Sequence, residues 1–134
     1  MYIETSNPQK ANDTARLTSP VTSNPQCLNF WYHMYGTHVN RLNVYIKNPK
    51  ATGLGTPIWS KYGSHGDLWK PAHVYLNYRG PYVYVIEAVR GNGYLGNIAI
   101  DDITVSDKCQ GPCKFFLLND FRQTDFCPIF ELYF

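Results

Sequence analysis

Short runs of strictly alternating apolar and polar residues constrain this chain more than any other feature. Leu28, Phe30, Tyr32 and Met34 fall on one side of an extended segment, and Asn29, Trp31, His33 and Tyr35 on the other. Leu42, Val44 and Ile46 alternate with Asn43, Tyr45 and Lys47, and Ala72, Val74 and Leu76 alternate with His73, Tyr75 and Asn77. A period of two is that of a strand with one face on a core and the other outside it. Residues 1–4, 15–17, 58–62, 82–89 and 97–105 read as further strands, set apart by Asn-Pro, Gly and Pro breaks. The run 82–89 is apolar on both sides except at Glu87, which predicts a strand buried on both faces. Two alternating runs around Gly36-Thr37 predict a β-hairpin, and the turn at 91–96 predicts another. About eight short strands, with no helical period before residue 110, indicate an all-β sandwich or barrel.

The chain has 134 residues, enough for one domain with a core of its own. Charged residues make up 16%, below the roughly 25% of an average domain, which argues against disorder. Aromatics also make up 16%, with 11 Tyr, and such a content favours strands and contact surfaces. A net charge of +2 with no Lys/Arg run excludes a nucleic-acid footprint. No apolar stretch is long enough for a membrane-spanning helix, so direct membrane insertion is not expected, and no basic-then-apolar leader opens the chain. Residues 114–134 carry seven aromatics and fit neither period, so 110–134 reads as an aromatic-rich tail set apart from a domain over 1–109.

No catalytic constellation emerges, and the chain reads as a non-enzyme. Gly91-Asn92-Gly93-Tyr94-Leu95-Gly96 matches a dinucleotide fingerprint but precedes a strand, where pyrophosphate binding needs a helix. His33, His38, His65 and His73 form no zinc-protease motif, and Ser64 lies in no nucleophile elbow. Cys27, Cys109, Cys113 and Cys127 read first as disulfides of an oxidising compartment, then as free thiols, with zinc last. Asp101-Asp102 interrupts a β segment, and alternation sends one carboxylate to an apolar face. A buried carboxylate needs a partner, so an internal salt bridge, with Arg90 as candidate, ranks ahead of a solvated pair or a bound calcium ion. Asn12-Asp13-Thr14 is an N-glycosylation sequon in a loop.

These strings together resemble a MAM domain, the extracellular module named for meprin, the A5 antigen and receptor phosphatase mu. The resemblance runs over 1–109 through Met1-Tyr-Ile-Glu-Thr-Ser6, Ala15-Arg-Leu-Thr-Ser-Pro20 and Cys27-Leu-Asn-Phe-Trp-Tyr-His-Met-Tyr-Gly36. It continues through Leu42-Asn-Val-Tyr45, Ile58-Trp-Ser60, Trp69, Val89-Arg-Gly91, Gly96-Asn-Ile-Ala-Ile-Asp-Asp-Ile103 and Cys109. It implies a jelly-roll-like β-sandwich of two antiparallel sheets and a disulfide between Cys27 and Cys109. Cys113 and Cys127 match no family position and are read as pairing with each other. The family's opening stretch, with its first two cysteines and an early acidic cluster, has no counterpart here, so the module reads as lacking it. That leaves Asp101 and Asp102 as the candidate metal ligands, with calcium the candidate cation and no other cofactor expected.

The functional expectation that follows is a non-catalytic protein–protein interaction or adhesion module of a larger secreted or membrane-anchored protein. It would act outside the cell or on the outer face of the plasma membrane, on a homophilic or heterophilic protein partner, with homo-oligomerisation among the expectations. Trp31, Tyr35, Tyr45 and Tyr75 are the candidate contact surface, and Asn12 the candidate glycosylation site. The alternatives are an accessory domain of an extracellular protease and a carbohydrate-binding jelly roll.

Overall fold

The structure, a computed structural model, describes residues 2–3 and 10–109. Among these described residues eight strands follow in chain order: β1 (Tyr2–Ile3), β2 (Thr14–Thr18), β3 (Gln26–Tyr35), β4 (Val39–Lys47), β5 (Trp59–Tyr62), β6 (Lys70–Leu76), β7 (Val83–Arg90) and β8 (Asn97–Ser106). They form two antiparallel four-stranded sheets, of order β1-β8-β3-β6 and β2-β7-β4-β5, called sheets A and B below. Every passage between consecutive strands changes sheet except that from β4 to β5. This alternation is the wiring of a jelly roll, and the expected all-β sandwich takes that form.

The alternating residues meet between the sheets. Leu28, Phe30, Tyr32 and Met34 of β3 face Leu42 and Val44 of β4, with Val74, Leu76, Tyr82, Ile86, Ile98 and Ile100 completing the core. Trp59 packs edge-on against Phe30 and Tyr32 at 5.5 and 5.6 Å, geometries that suit the ring quadrupole. The β7 strand is buried on both faces along most of its length, as its composition predicts.

The two expected hairpins are not hairpins. β3 lies in sheet A and β4 in sheet B, and β7 and β8 are likewise divided between the sheets. Alternation tells which side of a strand is buried but not which strand lies beside it. The three residues 36–38 suffice for the crossing. Four Cα steps of about 3.8 Å exceed the sheet separation of about 10 Å.

The two crossings lie against each other. The His38 N–H donates to the Leu95 carbonyl at 2.8 Å, and the Leu95 N–H donates to His38 Nδ1 at 3.0 Å. The glycines serve this approach. A Cβ on Gly91 would overlap the His38 carbonyl oxygen, and one on Gly93 the His38 ring. Gly91→Ala is expected to cost about 2 kcal/mol through overpacking against backbone. Gly53→Ala, where a Cβ meets nothing within 4 Å, should stay within about 0.5 kcal/mol. Denaturant midpoints of the two variants check this, and equal shifts would rule out the steric role.

The Asp101-Asp102 expectation is also corrected. In the β3–β8 ladder Asn29 faces Thr104 and Trp31 faces Asp101, so two residues of β8 stand opposite Phe30 alone. Asp102 takes a left-handed conformation at φ 50°, and its N–H donates to Asp101 Oδ1 at 2.8 Å. This β-bulge suspends the alternation, and both carboxylates are exposed. Neither aspartate is therefore a buried charge in need of a partner, and Arg90 sits buried at the end of β7 in sheet B.

Candidate contact face

Each sheet has one face on the core and one outside it, and the two outer faces differ in kind. On sheet B, register brings Arg16 opposite Glu87 and Glu87 opposite Asn43, with Ser60 beyond. Glu87 is the hub. Arg16 Nε donates to its Oε2 at 2.7 Å, and the Tyr45 hydroxyl and Asn43 Nδ2 donate to its Oε1 at 2.9 and 3.3 Å. Ser60 Oγ donates to Asn43 Oδ1 at 2.7 Å.

Burial raises the Glu87 pKa, but the hydrogen bonds from Arg16, Tyr45 and Asn43 and the Arg16 charge outweigh it, and the net shift is downward. Burial, then the hydrogen bond and charge of Glu87, push the Tyr45 phenol up. The polar groups here satisfy one another, which leaves little for a partner. Tyr45, expected on the contact surface, is only 7% exposed and belongs to this network. Its outward parity was right, but its ring is buried with its hydroxyl bonded to Glu87 and Asn43, and it stands on the sheet opposite the other three candidates.

Sheet A is open. Trp31 is 43% exposed, Tyr35 50% and Tyr75 53%, all on its outer face. Trp69, one residue ahead of β6, joins them at 44%. The His33 ring packs between Trp69 and Tyr35, at centroid distances of 5.6 and 6.3 Å, and Nε2 lies 3.0 Å from Asp67 Oδ1. Tyr2 extends the face at the β1 edge, its hydroxyl donating to Asn97 Oδ1 at 2.8 Å. Trp69 and Tyr2 were not among the expected contact residues. Trp69 was legible, since the spacing of two through His73 and Tyr75 runs back across Pro71 to it.

At the far end of this face Cys27 is bonded to Cys109, the pairing that the family resemblance implied. Cys113 and Cys127 lie outside the described residues. Among the described residues no group of three or more His, Cys, Asp or Glu could hold a metal ion. Asn12 is exposed in the turn leading into β2.

A jelly roll tied by a disulfide, with one outer face internally satisfied and the other aromatic and open, belongs to the class of disulfide-tied β-sandwich modules. The sequence matches the profile of the MAM domain, meprin/A5/mu, over residues 1–114, and the chain belongs to that family. It is 44% identical over 116 residues to MAM domain-containing glycosylphosphatidylinositol anchor protein 1 of Rattus norvegicus, covering 84% of this chain and 12% of that protein. It is 39% identical over 118 residues to the type 2 protein of Mus musculus, covering 80% of this chain and 12% of that protein. With Neuropilin-1 of Xenopus laevis it shares 37% identity over 107 residues, covering 73% of this chain and 12% of that protein. The chain thus spans about an eighth of the length of these relatives.

Proposed function

We propose that this chain is a non-catalytic extracellular adhesion module that binds a protein partner through the outer face of sheet A. The observation that carries the reading is the contrast between the two outer faces. Aromatic side chains offer large contact area at low entropic cost and are enriched where proteins meet. Trp31, Tyr35, Trp69 and Tyr75 stand on a rigid sheet, while the polar groups of sheet B already serve one another. The family supports an extracellular setting, and the anchor proteins among the relatives support a parent tethered to the cell surface.

The test is binding of the oxidised chain, displayed on beads, to an array of cell-surface ectodomains that includes the chain itself. Trp31→Ala and Trp69→Ala should each weaken a positive interaction by about thirtyfold, the loss of roughly 2 kcal/mol expected of a central aromatic anchor. Tyr45→Phe should leave it unchanged. Binding that survives both tryptophan substitutions in folded protein removes sheet A from the interface. Binding to a glycan array with no ectodomain bound would replace the protein partner by a carbohydrate.

A further inference from the structure

We propose that Asn12 carries an N-linked glycan, and that the glycan guards the open edge of sheet B. Asn12-Asp13-Thr14 is the one Asn-x-Ser/Thr sequence in the 134 residues. The turn that holds it is well defined. Lys10 N–H donates to Asp13 Oδ2 at 2.6 Å, Asp13 N–H to the Lys10 carbonyl at 3.2 Å, and Asn12 N–H to the Arg90 carbonyl at 3.0 Å. Asn12 has φ 67°, a left-handed conformation that asparagine tolerates better than most residues. Its Oδ1 accepts from Asn40 Nδ2 at 3.2 Å. The carboxamide is thereby held through its oxygen, and the residue is exposed to solvent.

The donor is an oligosaccharide linked through pyrophosphate to a lipid. The Asn12 amide nitrogen forms a bond to the anomeric carbon, and the bond from that carbon to the pyrophosphate oxygen breaks. The lipid pyrophosphate leaves with the electron pair, and the amide proton passes to a base of the transferase. The step requires the chain to enter the secretory lumen, so this inference rests on the extracellular reading above.

The position gives the glycan a role. Among the described residues β2 pairs with β7 alone and forms an edge of sheet B, and nearly all its side chains are exposed. An exposed strand edge is a template for pairing with another chain, and natural proteins cover such edges. A glycan at the head of β2 covers this one. It is rooted on sheet B, about 10 Å across the sandwich from the aromatic face.

The experiment expresses the 134-residue chain behind a secretion leader in a eukaryotic host and reads Asn12 occupancy by peptide mass in both cells and medium. The expected result is a mobility shift that peptide:N-glycosidase removes. Asn12→Gln and Thr14→Ala abolish it, and Thr14→Ser retains it. The enzymatically deglycosylated chain should sediment as larger species than the glycosylated one at equal concentration. Unmodified Asn12 in chains whose Cys27–Cys109 bond has formed overturns the site while leaving the extracellular reading intact. Equal sedimentation of the two forms overturns the guarding role. Glycosylated chain that binds no ectodomain leaves the site standing and counts against the adhesion reading.

Discussion

Replacing Cys27 and Cys109 by alanine lowers the unfolding free energy by about 4.5 kcal/mol. The bond joins residues 82 apart, so it closes most of the described chain into one loop. By chain entropy a cross-link over that length destabilises the unfolded state by about 4.5 kcal/mol. A domain of this size has roughly 5–15 kcal/mol in total, so the double variant loses from about a third to nearly all of its stability. Packing adds to the loss, since Cys27 is fully buried under the bridge. The measurement is guanidinium denaturation in a background of Cys113→Ser and Cys127→Ser, so that no other pairing can substitute. Reduction of the same background protein should shift the midpoint as the alanines do. A change below about 1 kcal/mol would mean that the β3–β8 ladder alone holds that end of sheet A together.

The strands were legible because each states its own burial. Leu28 to Met34 alternate in sequence, and the same residues alternate between core and exterior in β3. Pairing was not legible, because it is non-local. Nothing in the runs on either side of Gly36 says that they enter different sheets, and a three-residue crossing resembles a three-residue turn. The glycines of 91–96 illustrate the same limit. They read as hairpin residues with positive φ, yet Gly91 and Gly93 are required by His38, more than fifty residues away. The bulge at Asp102 had no proline or glycine to announce it, so the face of each aspartate could not be read from alternation.

The candidate face was legible in part for the same reason. Trp31, Tyr35 and Tyr75 have outward parity and are open, whereas Tyr45 has outward parity and is covered. The difference lies in neighbours that pairing supplies. Tyr45 stands opposite Val85, two residues from Glu87, in the middle of a sheet whose outer polar groups close over it. Parity decides the face, and exposure depends on what the adjacent strands carry.

That closed network leads to the second large effect. Glu87→Ala should cost about 3 kcal/mol, because the Tyr45 hydroxyl loses its acceptor inside the protein and the Asn43 amide keeps only its bond to that hydroxyl, at about 1–3 kcal/mol for each donor left unpaired. Arg16→Ala should cost less, about 1 kcal/mol, because the Arg16 side chain is half exposed and its ion pair is screened by solvent. The order follows from burial and not from the shorter contact, which is the one to Arg16.

The network also sets a pH dependence. The folded-state pKa of Glu87 lies below its ordinary value of 4.5, so the folded state binds the proton less readily than the unfolded chain. The stability this carboxylate contributes is fully present above 4.5 and is lost as pH falls through the depressed folded value. Glu87→Gln removes that component and should flatten the decline of stability in the acid range relative to the parent. Denaturant midpoints of the parent and the three variants, from neutral pH down through the carboxylate range, measure both effects. Parallel acid limbs for the parent and Glu87→Gln, or a larger loss from Arg16→Ala than from Glu87→Ala, would show that the carboxylate is not the hub its contacts make it.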